Sequence, residues 1–271
     1  MDAFQSGGNE WTVESNVTIM HISYVTLLIK FVKEMDHAIN FLDGELFCNP
    51  WIFFKDIEDK QRGDRLELAA SKLHTRVLSR LLNISYDIWL EDAGDRFTPV
   101  FCMYAVSNSS SLPSIRLQLK ETSLRDFGKF GVVITNTGEF INRLNNNLPE
   151  FSYGLINYID YDNLIGENER AIKNPILSKD RKTFGHQREF RIYNTHYAIT
   201  SLPDPDIPPK EIIYPNKYGG AYFSIGTLRD IAEVHTIDEL FRGMDLCVQN
   251  PINKKNMSKE LWWNGTNYQV V

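Results

Sequence analysis

KDRKTFGHQREFRIY, residues 179–193, is the stretch around which the rest of the chain is organised. Its second half alternates like a strand, so Glu189 and Arg191 share one face while the apolar residues between and after them share the other. Gln187 lies two positions before Glu189, and in an extended chain both side chains point the same way. A carboxylate and a carboxamide on one face accept hydrogen bonds from ribose hydroxyls and stabilise a developing cation. The same spacing also fits solvated strand residues or a Glu–Arg salt bridge of little energetic value, and both interpretations stay open.

Composition indicates a soluble globular protein with an aromatic-rich interior. The chain has 271 residues, of which 42% are hydrophobic and 24% charged, and this length suits one large domain. The net charge of −6 argues against broad binding of nucleic-acid backbones, which depends on cations. Three cysteines stand far apart without a CxxC pair, which favours reduced thiols over disulfides or zinc. The start of the chain lacks the pattern of a secretion signal and no apolar run is long enough to span a bilayer, so we expect a cytoplasmic protein with no membrane association.

The pattern of apolar and β-branched residues predicts strands separated by short helices. Residues 23–32, SYVTLLIKFV, are continuous enough for a central strand. Further strands are predicted at 45–49, 84–90, 98–106, 115–120, 130–135, 153–161, 189–193, 218–226 and 246–248, and helices at 33–42, 69–82, 139–144, 228–234 and 237–244. Thr236, followed three residues later by Glu239, has the spacing of a capping box. We expect an α+β fold with a central mixed β-sheet flanked by helices.

The expected domain organisation is simple. One α+β domain covers residues 21–249, preceded by a flexible N-terminal segment at 1–20 and followed by a C-terminal tail at 250–271. Within the domain, residues 202–215 are rich in proline, which predicts an extended surface excursion.

Basic residues outside the organising stretch are candidates for holding a phosphate. Lys30 interrupts the first strand near its end, where a lysine more often packs its stem and sends its ammonium to water than contacts a ligand. Arg62 and Arg65 either pair with neighbouring acids, the commoner outcome, or reach a phosphate, which suits the arginine fork. The acids of the same segment, Glu67 among them, fit a solvated loop better than a metal site.

Short motifs, taken in order along the chain, resemble a known family. They are IKF at 29–31, DGELFCNPWIFFKDIED at 43–59, FCMY at 101–104, FGHQREFRI at 184–192 and FSIGTLRDIAEV at 223–234. This order resembles a diverse set of uncharacterised bacterial and phage proteins whose layout is similar to the ADP-ribosyltransferase superfamily. The chain has no Walker sequence, GxGxxG, HExxH or GxSxG, which argues against most ATPases, Rossmann dehydrogenases, zinc proteases and α/β-hydrolases.

The resemblance implies an NAD-dependent transfer of ADP-ribose with no metal. Gln187 and Glu189 match the late Gln-x-Glu element of the superfamily, Lys30 takes the place of its first-strand Arg or His, and Asn49 falls in its second element. The resemblance then assigns Glu189 to the oxocarbenium cation and the ribose hydroxyls, and Gln187 to the acceptor. Lys30, helped by Arg62 or Arg65, holds the pyrophosphate.

A different class of protein fits the same sequence. It is a non-catalytic phage or bacterial protein that binds and blocks a host defence protein or a nucleic-acid-processing protein. This hypothesis predicts no NAD binding and tolerance of changes at Gln187 and Glu189. It places the interaction surface around Trp262 and Trp263 instead. Under the enzyme hypothesis, by contrast, Glu189→Gln abolishes transfer to a macromolecular target with little loss of folding.

Overall fold

A computed structural model describes most of the chain. The described residues are 25–56, 66–78, 83–91, 96–107, 113–160, 174–197, 199, 219–252, 261–263 and 268–270. The predicted N-terminal segment at 1–20 and the proline-rich excursion at 202–215 lie outside them, as do Arg62 and Arg65.

Strands dominate the described residues, and the helices between them are short. The strands are β1 (Val25–Val32), β2 (Glu45–Pro50), β3 (Ala69–Leu78), β4 (Asn83–Glu91), β5 (Pro99–Ser107), β6 (Ser114–Leu117), β7 (Phe130–Ile134), β8 (Ser152–Leu155), β9 (Asn157–Ile159), β10 (Ser178–Asp180), β11 (Glu189–Tyr193), β12 (Ala221–Ser224), β13 (Ala232–Thr236), β14 (Met244–Cys247), β15 (Leu261–Trp263) and β16 (Tyr268–Val270). The helices are α1 (Met35–Leu42), α2 (Trp51–Asp56), α3 (Thr137–Asn147), α4 (Arg181–Phe184) and α5 (Ile237–Arg242), with 3₁₀ turns at Thr122–Phe127 and Pro175–Leu177.

One eight-stranded sheet forms the centre of the fold. Its strands run in the order β12-β2-β5-β1-β7-β13, with β11 paired to both β5 and β8. Every pairing within it is antiparallel, so the predicted α+β class is confirmed but the predicted mixed character of the central sheet is wrong. A parallel pair needs a long crossover, usually a helix, and of the described helices just α1 and α3 exceed six residues.

Both faces of the sheet are buried, which explains the near-continuous apolar runs in its sequence. On one face, Leu28 of β1 and Phe190 of β11 pack with residues of α1 and α3. On the other face, Ile29 of β1 and Val133 of β7 pack with Leu240 of α5. Successive side chains of β1 therefore belong to two separate hydrophobic clusters, and the sheet lies between these clusters.

Two segments that were predicted to be helical contain a strand and no helix among their described residues. Residues 69–82 were expected to form a helix, but β3 pairs with β4 in an antiparallel hairpin with Leu73 opposite Ile88. Residues 228–234 were also expected to be helical, yet β13 pairs with β7 along its whole length. The predicted strand at 153–161 divides into β8 and β9, which join different sheets. The predicted capping box at Thr236 and Glu239 is confirmed at the start of α5.

Candidate ligand-binding site

A cavity of about 180 Å³ opens where β1, β2, β5 and β11 meet. It is lined by Ile29, Lys30, Phe31, Phe47, Asn49, Phe53, Phe54, Val100, Cys102, Met103, Tyr104, Leu124, Phe127, Lys179, Gln187 and Glu189. Four residues singled out from the sequence therefore meet in one place, although they come from three separate parts of the chain. They are Lys30, Asn49, Gln187 and Glu189. Its lining combines polar groups with aromatic rings, which is typical of a small-molecule site.

Glu189 lies at the start of β11 and is held by two cations. Its Oε2 lies 2.8 Å from the Nζ of Lys179, and its Oε1 accepts a hydrogen bond from the Nε of Arg191 at 2.7 Å. Burial by itself raises the pKa of this carboxyl, but Arg191 and Lys179 outweigh burial and hold the pKa well below its usual range. Glu189 is therefore an ionised carboxylate at neutral pH, 7% exposed, with one edge on the cavity.

Gln187 reaches the same cavity by a route that strand alternation does not explain. Arg188, between Gln187 and Glu189, has a φ of 43°, so the chain is not extended there. The carbonyl of Arg188 accepts a hydrogen bond from the N–H of Ala105, which fixes this turn onto β5. The prediction that both side chains share a face because the chain is extended is thus wrong in its reason, although both residues line the cavity.

Arg191 links Glu189 to a second buried acid. Its guanidinium is fully buried and donates to both carboxylate oxygens of Glu67, at 2.5 Å from Nη1 and 3.1 Å from Nη2. The indole N–H of Trp51 donates to the same carboxylate. Burial lowers the pKa of Arg191, but Glu189 and Glu67 outweigh it and raise that pKa well above its usual value. The sequence predicted Glu67 to be a solvated loop acid, and it is instead 1% exposed.

Lys30 enters the cavity from β1. Its Nζ donates to the carbonyl oxygen of Cys102 at 2.9 Å and lies 3.9 Å from the centre of the Phe101 ring. Burial lowers its pKa, and the nearby Cys102, Cys48 and Glu189 offset part of that effect. Within the described ranges, Lys30 has no carboxylate at salt-bridge distance. The packed-stem interpretation sends this amino group to water, whereas it contacts Cys102 and Phe101 and the residue lines the cavity.

The cysteines of the chain differ in environment. Cys48 and Cys102 are on β2 and β5, where burial raises the pKa of Cys48 to about 12 and that of Cys102 further. Cys247, on β14, is exposed. Neither thiol beside Lys30 is a thiolate at neutral pH, so neither is a nucleophile or an anionic ligand in this site. No cluster of three metal-binding side chains occurs in the described part of the chain.

Sequence reasoning also missed the parts that Lys179 and Tyr158 play in the site. Lys179 belongs to the organising stretch, but it precedes Glu189 by ten positions and no periodicity relates the two. Tyr158 lies on β9, and its hydroxyl accepts the backbone N–H of Glu189 at 2.9 Å. Burial and the neighbouring Glu189 raise the pKa of this phenol well above its usual value, so it stays protonated. The parallel pairing of β9 with β10 puts Tyr158 opposite Lys179. This contact is non-local, and no sequence pattern within either strand predicts it.

Comparison with known proteins found no matching family model, and no curated protein or solved structure matched significantly. Among the described residues, no helix is both long and apolar enough to cross a bilayer.

Proposed function

We propose that the cavity binds NAD or a related nucleotide, and that the protein is an ADP-ribosyltransferase-like enzyme acting on a macromolecular target in phage–host conflict. The observation that carries the proposal is the meeting of an ionised Glu189, Gln187 and Lys30 in a single aromatic-walled cavity. A fully solvated Glu189 would have supported the opposite conclusion.

The charge of the site suits the cleavage of a ribose–nicotinamide bond. When that bond breaks, its electron pair leaves with nicotinamide and positive charge develops on the ribose, where a fixed carboxylate stabilises it. Glu189 supplies that carboxylate, and its oxygens also accept hydrogen bonds from ribose hydroxyls. The acceptor group then bonds to the ribose carbon and loses its proton to solvent water, with Gln187 positioning that group.

The remaining polar residues of the cavity suit the rest of such a ligand. Lys179, Glu189, Arg191 and Glu67 carry charges of alternating sign that cancel as a group. Lys30 adds an amino group beside this neutral group, and its N–H donors suit a phosphate or a carbonyl oxygen of the ligand. The proposal assigns Lys30 and Asn49 to that contact, and Arg62 and Arg65 to the pyrophosphate.

The size of the cavity limits how much of the ligand it encloses. At about 180 Å³ it is smaller than the roughly 300 Å³ at which enclosed sites for drug-sized ligands begin. In this proposal it holds the nicotinamide ring with part of the ribose, beside the lining residues Phe47, Phe53 and Phe54. The adenosine half of NAD therefore lies outside the cavity in this proposal.

A second candidate function is binding without catalysis, by a protein that blocks a host defence or nucleic-acid-processing protein. The observation that favours it is the saturation of Glu189, because each of its oxygens already has a buried cation. Such an arrangement stabilises a fold without any ligand, and it requires no chemistry at the cavity.

The two candidates differ in the response of the protein to NAD. If NAD binds the folded form, the melting temperature rises, and NAD at ten times its Kd adds about 1.4 kcal/mol to the free energy of unfolding. We expect this shift in the native protein and in the control Lys120→Met, an exposed lysine, and its loss in Lys30→Met. Release of nicotinamide from NAD is expected from the native protein and not from Glu189→Gln. A native protein whose melting temperature is unchanged by millimolar NAD contradicts the enzyme and supports the blocking protein.

A further inference from the structure

We infer that Lys179 is a positioning residue that holds Gln187 and Glu189 together at the cavity and places its positive charge against the Glu189 carboxylate. The importance of this role for a ligand rests on the proposed function, whereas the contacts among the three side chains do not depend on it. Nothing in the sequence pattern assigns Lys179 a part in the site.

The geometry around Arg188 shows what holds Gln187 and Glu189 together. Because Arg188 is in the left-handed region, with a φ of 43°, strand alternation does not hold residues 187 and 189 on one face. A single ammonium does so instead. The Nζ of Lys179 donates to the Oε1 of Gln187 at 3.1 Å and lies 2.8 Å from the Oε2 of Glu189.

Lys179 is itself held in place. It is 2% exposed and lies at the centre of β10, opposite Tyr158 of the parallel strand β9. Tyr158 in turn accepts the backbone N–H of Glu189, so β9 and β10 fix the start of β11 through a backbone contact and a side-chain contact. The ring of Phe184, 5.0 Å from the Nζ, covers the ammonium.

The charged and titratable groups that face Glu189 come from several elements. Arg191 approaches it from its own strand and Lys179 from β10, while Lys30 of β1 lies farther off and Cys102 of β5 is an uncharged thiol. The phenol of Tyr158, from β9, is also uncharged. Arg191 is shared with Glu67, whereas Lys179 contacts no other described carboxylate. Among the described carboxylates, Lys179 therefore pairs with Glu189 alone, and it also lines the cavity.

The direct test follows the Glu189 carboxyl by carbon-13 NMR, assigned through its absence in Glu189→Gln. In the native protein and in the control Lys120→Met, we expect no titration of this carboxyl between about pH 4 and pH 8. In Lys179→Met, where the side chain keeps its volume and loses its charge, we expect the carboxyl to titrate inside that range. Lys179→Arg restores the ionised carboxyl. If Lys179→Met does not fold, Lys179→Gln, which is also neutral, carries the same expectation.

Binding of NAD provides the second readout. In Lys179→Met the affinity is expected to fall about tenfold for each pH unit below the midpoint of the carboxyl, because one proton competes with binding. The native protein and Lys179→Arg lack this pH dependence. A Glu189 carboxyl that titrates identically in the native protein and in the neutral variants overturns the positioning role. Absence of NAD binding to the native protein instead overturns the proposed function, and the NMR titration still decides the role of Lys179.

Discussion

At the scale of single residues, the candidate site is a buried row of charges. Lys179, Glu189, Arg191 and Glu67 follow one another with alternating sign, and all are at most 7% exposed. Each ion was moved out of water at a cost that its neighbours offset. Removing one member leaves its partners buried and uncompensated, so the atoms proposed for chemistry also determine stability.

The first prediction concerns Glu189→Gln, which we expect to destabilise the fold by about 3 kcal/mol. The amide leaves Arg191 and Lys179 facing a neutral group. This loss of stability differs from the expectation drawn from the sequence, which was that Glu189→Gln folds with little loss. The measurement is urea-induced unfolding at neutral pH. The exposed Glu150→Gln is the control and should change the free energy of unfolding by less than about 0.5 kcal/mol. Equal stabilities for the two variants would show that the row of charges contributes nothing.

The second prediction is a dependence of stability on pH. The pKa of Glu189 is depressed in the folded protein, so its contribution is fully present above the unfolded pKa of about 4.3 and is lost as the pH falls through the folded pKa. The native protein should therefore lose stability more steeply than Glu189→Gln as the pH is lowered below about 4.3. Free energies of unfolding measured at several acidic pH values test this. Parallel curves for the two proteins would contradict the depressed pKa.

At the scale of elements, the turn between α1 and β2 meets the loop after β12 at an unusually close contact. Gly44 has a φ of 91°, and a Cβ built on it would lie 1.9 Å from the carbonyl oxygen of Gly226. The N–H of Ile225 donates to the carbonyl of Gly44 at 3.0 Å, which keeps the two segments together. Glycine is thus required at position 44 both for its backbone conformation and for space.

The third prediction compares two glycines with similar backbone angles. Gly226 has a φ of 79°, but a Cβ there would meet no atom within 4 Å. Gly226→Ala should therefore cost only the left-handed strain of about 1 kcal/mol, whereas Gly44→Ala should cost about 3 kcal/mol or more. Urea unfolding of both variants provides the measurement. Similar losses in the two would mean that the loop after β12 moves aside freely.

Elements whose signal is local were predicted well, and elements that depend on a distant partner were not. The apolar runs of β1, β5 and β7 and the capping box of α5 are confirmed. In residues 69–82, polar residues at 72, 74 and 76 alternate with Leu73, Thr75 and Val77, which is the period of a strand. Leu73 and Val77 also have the spacing of a helix, and the pairing with β4 decides between the two patterns.

At the scale of the whole molecule, the site joins segments that are far apart in sequence. Glu67 follows α2, Arg191 lies on β11, and their ion pair spans 124 positions. Sequence reasoning found Glu189, which stands in a strand with a recognisable pattern. It did not find the role of Glu67, because nothing local distinguishes a buried acid from the solvated acids around it.

The fourth prediction tests this long-range contact with a double-mutant cycle. Glu67→Gln and Arg191→Met should each destabilise the protein by about 3 to 5 kcal/mol, since each leaves an uncompensated buried charge. The double mutant should be more stable than the sum of the two losses predicts, by about 2 kcal/mol. The reason is that the double mutant lacks both side chains, so neither is left facing an absent partner. Urea unfolding of the four proteins provides the values. Strict additivity would mean that the two side chains do not interact in solution.

The contrast between the cysteines has a practical consequence for studying this protein. Maleimide dyes react with thiolates, so at neutral pH the exposed Cys247 should react well before Cys48 and Cys102, whose pKa values are raised. Its strand, β14, contributes no residue to the described lining of the cavity. The native sequence therefore provides one attachment point for a fluorophore or a surface tether, and ligand titrations by fluorescence or on a sensor chip require no engineered cysteine.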